Sequence, residues 1–330
     1  MIDQNQLEIG FALGAVRQAA LVVRKIQQTL ITPALTKEDR SPVTVADYAA
    51  QAVVGRLLAE TFPNDLIVAE EDSSALRDPQ NAHILEMTAG FFQRNGGQAA
   101  PEQVCAWIDH GRADSGRRFW TLDPIDGTKG FLRGEQYVVA LALVVDGQVQ
   151  VGVLGCPNLE NAILPAVGGA GSLVIGVRGQ GAWTTSLTTP GLFERLQVST
   201  MDQAAEARLL RSVESVHTNV DQVGRFTQAL QAGAPPVTMD SQAKYVVLAA
   251  GQGDLYLRLL SFDKPNYREK IWDQAAGSII IEEAGGRVTD LDGLALDFTA
   301  GRSLVNNRGI LASNSRLHPA ALAALREIGA

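Results

Sequence analysis

Four carboxylates that follow two short apolar runs have the clearest potential for chemistry in this sequence. They are Glu70, Glu71, Asp123 and Asp126. The runs at residues 66–69 and 119–122 have the character of buried strands. If these strands pair, their ends bring like charges together, which is favourable only with a cation between them. Oxygen ligands without histidine suit Mg²⁺, Mn²⁺ or Ca²⁺. The alternative is a pair of ordinary turns, in which Asp is common.

The segment after the second run is predicted to be a rigid turn. Pro124 fixes its own φ and removes a backbone donor. Such a turn can direct the Asp123 and Asp126 carboxylates and the Ile125 carbonyl oxygen to one point. Gly127 and Thr128 follow at the start of a predicted helix, where backbone N–H groups favour a phosphate. The segment therefore predicts a cation site beside a phosphate site.

Composition and the absent motifs exclude several other kinds of chemistry. The four histidines are scattered, and Cys105 and Cys156 form no C-x-x-C pair, so we expect both to be small buried hydrophobes. No phosphate-binding P-loop, dinucleotide fingerprint or nucleophile elbow occurs. The net charge of −8 argues against a nucleic-acid polymer as partner, and no apolar run approaches the ~18 residues of a membrane span. With no secretory signal visible, we expect a cytoplasmic location.

The elements that position these residues can be outlined from periodicity. Apolar residues from Leu7 to Leu30 predict one long amphipathic helix, and a second helix is predicted over 45–61. The sequence around Asp146-Gly147 predicts a hairpin, with another around Gly179. A chain of 330 residues suggests about two domains. The Thr/Ser/Pro/Gly-rich stretch 184–193 suggests a boundary between two domains, 1–190 and 191–330, and the alternating strand and helix signals beyond it favour an α/β architecture for the second.

Two sequence signatures carry a resemblance to a known family. Asp123-Pro-Ile-Asp-Gly-Thr128 resembles the metal motif of the lithium-sensitive, magnesium-dependent phosphatases, which include inositol monophosphatase. The segments 272–277 and 282–286, Trp-Asp-Gln-Ala-Ala-Gly and Glu-Glu-Ala-Gly-Gly, resemble their second signature. Both occur in the expected order, and the resemblance covers nearly the whole chain.

The surrounding residues resemble one branch of that superfamily, the 3′(2′),5′-bisphosphate nucleotidases of the yeast salt-tolerance type. The segments that carry this resemblance are 41–51, 126–137, 240–245 and 268–273. Inositol monophosphatases usually continue the metal motif with Thr-Asn-Phe, where this chain has Lys129-Gly130-Phe131.

The resemblance implies a five-layered αβαβα sandwich with the site between an N-terminal α+β half and a C-terminal α/β half. It also implies hydrolysis of 3′-phosphoadenosine 5′-phosphate to AMP and phosphate, with 3′-phosphoadenylyl sulfate as a second substrate. The physiological role stays open between sulfur assimilation and salt tolerance. Alternatives are an inositol (poly)phosphate 1-phosphatase or a fructose-bisphosphatase with the same metals, or an inactive nucleotide or metal sensor. The oligomeric state stays open, with a monomer plausible.

The resemblance also implies roles for individual residues. Glu70, Asp123 and the Ile125 carbonyl would hold one Mg²⁺, and Asp123, Asp126 and Asp273 a second, with a third, weaker ion near Glu70. Mn²⁺ would substitute, and Li⁺ and Na⁺ would inhibit. Thr128, hydrogen-bonded to Asp47, would activate water, with Glu71 assisting. The implied substrate contacts are Gly127, Thr128, His217, Ser241, Lys244 and Arg258. A purely structural alternative remains for Asp273, as a helix N-cap. The corresponding alternatives are a satisfied surface histidine for His217, a solvated helix residue for Lys244 and a strand-edge charge for Arg258.

Overall fold

The computed structural model describes residues 2–29, 34–36, 42–94, 99–212, 220–259 and 266–330. Its helices are α1 (Leu7–Thr29), α2 (Val45–Thr61), α3 (Ala82–Arg94), α4 (Pro101–Asp109), α5 (Thr128–Arg133), α6 (Val220–Leu230), α7 (Ala243–Ala249), α8 (Ala275–Glu283) and α9 (His318–Ile328). Its strands are β1 (Ala34–Thr36), β2 (Pro42–Thr44), β3 (Leu66–Ala69), β4 (Arg118–Asp126), β5 (Val138–Val145), β6 (Gln148–Cys156), β7 (Leu159–Glu160), β8 (Leu164–Pro165), β9 (Ser172–Val177), β10 (Gly181–Ser186), β11 (Glu194–Arg195), β12 (Leu209–Arg211), β13 (Val237–Thr238), β14 (Leu255–Arg258), β15 (Arg287–Thr289) and β16 (Ile310–Ser313).

A seven-stranded sheet in the order β11-β10-β9-β6-β5-β4-β3 forms the larger β layer. The hairpin of β5 and β6 is confirmed, and its turn residues Asp146 and Gly147 have φ values of +49° and +76°. These left-handed values fit the tight turn predicted from Asp-Gly. The hairpin of β9 and β10 around Gly179 is confirmed as well.

Helices α1 and α2 cover one face of this sheet. The predicted apolar face of α1 is largely confirmed, since Ala15, Ala19 and Ile26 are buried. Leu7 was expected on that face, but it is 60% exposed because it lies in the first turn, at the end of the helix. Helix α2 is buried on most sides because α1, α3, α4 and β4 all pack against it.

Helices α7 and α8 form the central layer between the two sheets. Helix α8 packs on β6 and β9 of the larger sheet and on β15 and β16 of the smaller one. Two glycines permit this close approach. A Cβ atom on Gly152 would lie 2.5 Å from Ile279 Cγ2, and one on Gly176 would lie 2.9 Å from the Ile280 backbone.

A five-stranded sheet in the order β13-β12-β14-β16-β15 follows, and α6 and α9 pack together over its outer face. The layers therefore alternate helix, sheet, helix, sheet and helix, which confirms the expected αβαβα sandwich. Glu194 and Arg195 of β11 pair with β10, just beyond the suggested boundary at residue 190, and the division into two domains stays a prediction. Cys105 and Cys156 are both buried, as expected. Among the described helices, none is long and apolar enough to cross a membrane.

Candidate active site

Two parallel strands bring the predicted acidic residues to one edge of the larger sheet. β3 pairs with β4 so that Ala69 lies opposite Leu122. The next residues, Glu70 and Asp123, therefore occupy equivalent positions, and the Glu70 N–H donates to the Leu122 carbonyl at 3.2 Å. The expected pairing of the two apolar runs is confirmed.

The turn around Pro124 is an irregularity within β4. Asp123 lies opposite Ala140 and Asp126 opposite Val138, so β4 has one residue more than its partner over this stretch. The Ile125 N–H donates to Asp123 Oδ1 at 3.1 Å. Such a bulge changes the direction in which its side chains are presented.

Helix α5 starts directly after this bulge. Gly127 precedes it with φ +89°, a left-handed conformation that favours glycine. The Thr128 hydroxyl donates to the Ile125 carbonyl at 3.2 Å. Asp47 Oδ2 accepts hydrogen bonds from Thr44 N and Thr44 Oγ1, both at 2.7 Å, at the start of α2. The expected bond between Thr128 and Asp47 stays a prediction.

Gln242 joins the larger sheet to the C-terminal half at this point. Its N–H donates to Asp126 Oδ2 at 2.5 Å, and its Nε2 donates to the Trp272 carbonyl at 3.1 Å. Its Oε1 accepts from the Gly277 N–H at 3.1 Å. Sequence reasoning missed this residue, although it lies within the quoted segment 240–245.

Asp273 lies next to this connection rather than in a capping position. The N-cap of α8 is Gln274, so the alternative reading of Asp273 as an N-cap is not supported. Burial raises the pKa of Asp273 well above its usual range, and the negative charge of Asp126 raises it further. Burial also raises the pKa of Asp126, against the lowering effect of Lys244.

The acidic residues of the site have the chemistry of ligands for a metal ion. Within the described residues, no three His, Cys, Asp or Glu side chains are already grouped closely enough to hold one. The residues nevertheless fit a hard cation in their chemistry. Asp126, Asp273 and Glu70 repel one another electrostatically in a buried setting, and a cation would relieve that repulsion.

Several predicted residues line one cleft with a cavity volume of about 220 Å³. Those expected from the sequence are Asp126, Gly127, Thr128, Ser241, Lys244, Arg258 and Asp273. Those that sequence reasoning did not assign to the site are Lys129, Gly130, Ser212, Asp240, Gln242, Tyr256 and Tyr267. Glu70, Asp123 and Ile125 do not line this cavity; Asp123 and Ile125 belong to the β4 bulge that leads to Asp126, and Glu70 follows the paired strand β3. Asp47 and Glu71 are buried and do not line the cavity either. His217 lies outside the described residues.

The two predicted cations of the cleft are held in place by neighbouring groups. Lys244, only 3% exposed, donates from Nζ to the Met239 carbonyl at 3.1 Å and lies 5.3 Å from the Tyr256 ring centre. Burial lowers the pKa of Lys244 to about 8, and Asp126 opposes this effect. Arg258 forms a 3.0 Å ion pair with the buried Glu269. Neither cation is a loosely solvated surface residue.

Glu71 is fixed by a side chain of α2. Gln51 Nε2 donates to the Glu71 carbonyl at 2.5 Å, and Gln51 Oε1 accepts from the Glu71 N–H at 3.0 Å. Gln51 is one turn beyond Asp47 on the same helix, so α2 holds both of these carboxylate residues relative to β3.

The layered fold and the acidic cleft have the architecture of a phosphatase, and comparison with known proteins identifies the family. The chain belongs to the inositol monophosphatase family, whose model matches residues 4–330. Members of that family are generally metal-dependent, with Mg²⁺ typical.

Curated relatives are similar over nearly their whole length. The chain is 41% identical over 320 residues to a 3′(2′),5′-bisphosphate nucleotidase of Schizosaccharomyces pombe, with 92% of this chain and 90% of that protein covered. It is also 41% identical over 340 residues to a protein of the same name from Oryza sativa, with 97% and 94% covered.

Solved structures share the fold at lower identity. An IMPase from Thermotoga maritima superposes with a TM-score of 0.66 at 21% identity, covering 98% of each chain. An inositol monophosphatase from Anabaena (Nostoc) sp. PCC 7120 gives a TM-score of 0.62 at 21% identity, covering 98% of this chain and 97% of that one.

Proposed function

We propose that this chain is a phosphatase that hydrolyses the 3′-phosphate of 3′-phosphoadenosine 5′-phosphate to give AMP and phosphate. The observation that carries the proposal is a single cleft lined by both acidic and basic side chains. Asp126 and Asp273 are acidic residues of this lining, and Lys244 and Arg258 are cations of the same lining. A substrate with two phosphates can use both, because metal ions on the carboxylates would hold one phosphate and the cations the other. The names of the similar curated relatives support the same reaction.

Five groups are proposed to hold the metal: the carboxylates of Glu70, Asp123, Asp126 and Asp273 and the carbonyl of Ile125. Two or three Mg²⁺ ions bound there would supply an activated water and neutralise the charge that develops on the phosphate. Mn²⁺ would substitute, and Li⁺ and Na⁺ would inhibit by occupying a Mg²⁺ position. Without a bound cation, these four carboxylates would repel a phosphate dianion.

The remaining residues would orient the reactants and move the proton. Thr128 Oγ1 would turn from the Ile125 carbonyl to the attacking water, and Asp47 would accept the proton that the water loses. Glu71 would support this arrangement from its position against Gln51. Gly127 and Thr128 would contact the phosphate that is removed.

Lys244 and Arg258 would provide countercharge for the 5′-phosphate, with Ser241 and His217 as further contacts. Tyr256 and Tyr267 line the same cleft and offer aromatic surface to the nucleoside. 3′-Phosphoadenylyl sulfate keeps the 3′-phosphate and differs at the other end, so it is proposed as a second substrate. Sulfur assimilation is the setting in which both nucleotides arise, and the cytoplasm stays the expected compartment.

The test is to incubate the full chain with 3′-phosphoadenosine 5′-phosphate and Mg²⁺ and to separate the nucleotide products. We expect AMP and one equivalent of phosphate, with no release when EDTA removes the metal. Adenosine 3′-phosphate as the product would show that the 5′-phosphate is the one held at the metal-binding carboxylates, and the proposal would then be wrong. No product from any phosphate ester with Mg²⁺ present would instead favour a nucleotide or metal sensor.

A further inference from the structure

Arg302 lies outside the cleft and connects the ends of two elements that lead into it. Its guanidinium donates from Nη2 to the Ala69 carbonyl. Its Nη1 lies 3.2 Å from the Gly111 carbonyl and 3.3 Å from the Ala113 carbonyl. The Ala69 N–H also donates to the Gly111 carbonyl, at 2.9 Å. Arg302 therefore binds the outer edge of β3 at its last residue, next to the bridge between Val68 and Arg112.

The flat face of the same guanidinium packs on the C-terminal half. Arg302 Cζ lies 4.9 Å from the ring centre of Trp272, which is 6% exposed. The Ile271 N–H donates to the Arg302 carbonyl at 3.2 Å. Side chain and backbone of Arg302 thus hold the segment that precedes α8.

Each of these contacts is made with the residue that directly precedes a proposed metal ligand. Ala69 precedes Glu70, and Trp272 precedes Asp273. A guanidinium can make both contacts at once, because its N–H groups point outward in its plane while its faces stack on an aromatic ring. A lysine ammonium has neither the planar face nor the fan of donors.

We infer that Arg302 is a positioning residue that sets the separation of Glu70 and Asp273 and thereby the affinity of the site for Mg²⁺. This inference rests on the metal ligands proposed above. It differs from a role in capping the sheet edge alone, because a sheet cap would affect stability and leave metal affinity unchanged. Removing a residue that orients metal ligands typically weakens metal binding by about 10- to 100-fold.

The experiment is a calorimetric titration of Mg²⁺ into the full chain, its Arg302→Ala and Arg302→Lys variants, and the control Arg308→Ala. Arg308 is an exposed arginine whose side chain pairs with Asp292 at 3.2 Å, and neither of these residues is a proposed metal ligand. We expect the Mg²⁺ dissociation constant to rise by about 10-fold or more in Arg302→Ala. Arg302→Lys should lie between that variant and wild type, and Arg308→Ala should match wild type.

A second readout separates positioning from simple damage. If Arg302 acts through the metal, excess Mg²⁺ restores phosphate release by Arg302→Ala, while its KM for the nucleotide at saturating Mg²⁺ stays near that of wild type. Circular dichroism establishes that the variant is folded before either measurement. If Arg302→Ala does not fold, the comparison of Arg302→Lys with wild type decides.

Two outcomes would overturn the inference. In the first, a folded Arg302→Ala binds Mg²⁺ as tightly as wild type; if that variant does not fold, the same result for a folded Arg302→Lys counts. In the second, the wild-type chain binds no Mg²⁺. Failure of the proposed function has a different signature. A wild-type chain that binds Mg²⁺ but does not hydrolyse the nucleotide, with weaker Mg²⁺ binding in Arg302→Ala, supports the role of Arg302 and contradicts the nucleotidase activity.

Discussion

Lys244 is the residue whose environment most directly connects structure to substrate choice. It is nearly inaccessible to solvent except through the cleft, and its ammonium is held by the Met239 carbonyl and the Tyr256 ring. Keeping a buried ammonium costs free energy, as its lowered pKa of about 8 shows. An anion bound in the cleft would offset that cost. A substrate with a single phosphate, held only at the metal-binding carboxylates, has no need of this residue.

The variant Lys244→Met keeps the length of the side chain and removes its charge. We expect KM for 3′-phosphoadenosine 5′-phosphate to rise about 10- to 100-fold, since a hydrogen bond to a charged group contributes about 1.5–3 kcal/mol. Initial rates of phosphate release over a range of nucleotide concentrations measure this change.

The matched control is Lys25→Met, which removes an exposed lysine of α1 that does not line the cleft. Its KM should equal that of wild type. If Lys244→Met also binds the nucleotide like wild type, then Lys244 is only a buried helix residue and its role in recognition is wrong.

At the scale of elements, the short helix α5 depends on two glycines with the same backbone requirement and different surroundings. Gly127 at its start has φ +89°, and Gly134 at its end has φ +75°. A Cβ atom on Gly127 would lie 2.9 Å from Ser241 Cβ, whereas one on Gly134 would meet nothing within 4 Å. Gly127 therefore permits both the turn and the contact between the two halves of the molecule.

Comparing Gly127→Ala with Gly134→Ala isolates that contact. Both substitutions should destabilise the fold by about 1–2 kcal/mol, the cost of a left-handed conformation for an L-residue. Only Gly127→Ala should also displace Ser241, and we expect its kcat/KM to fall by about 10- to 100-fold while Gly134→Ala stays near wild type.

Urea unfolding and steady-state kinetics on the two variants make the comparison. Equal kinetics in both would mean that the contact of Gly127 with Ser241 has no influence on the reaction.

The elements that could be predicted from sequence are those defined by local signals. The helices α1 and α2, the hairpin at Asp146-Gly147 and the turn at Pro124 depend on periodicity or turn chemistry within a few residues. The structure forms that turn as a bulge within β4, which the sequence did not predict. The short strands β13 and β15 gave no such signal, because two or three residues are too few to show a period.

The residues of the site also divide into those that could be predicted from the sequence and those that could not. Glu70 and Asp123 could be placed together because each follows an apolar run and the two runs pair as strands. The contact of Gln242 with Asp126 and that of Arg302 with Ala69 join residues 116 and 233 positions apart. Contacts across such distances depend on how the layers stack, and no local pattern in one sequence encodes them.

At the scale of the whole molecule, the layered arrangement explains why the site lies where it does. Asp126 belongs to the larger sheet, while Lys244, Arg258 and Asp273 come from elements associated with the smaller sheet and the central helices. Helix α8 packs on both sheets, so it fixes these elements relative to one another. The resulting cleft, lined by carboxylates and cations, fits a substrate that carries two anionic groups.

The most direct test of this account is a comparison of kcat/KM, with Mg²⁺, for 3′-phosphoadenosine 5′-phosphate, inositol 1-phosphate, inositol 1,4-bisphosphate and fructose 1,6-bisphosphate. We expect kcat/KM for the nucleotide to exceed that of each other substrate by about 100-fold or more, equivalent to about 2.7 kcal/mol of transition-state binding from the cations and aromatic rings of the cleft. Equal or faster turnover of an inositol or sugar phosphate would contradict the assignment of the cleft to a nucleotide.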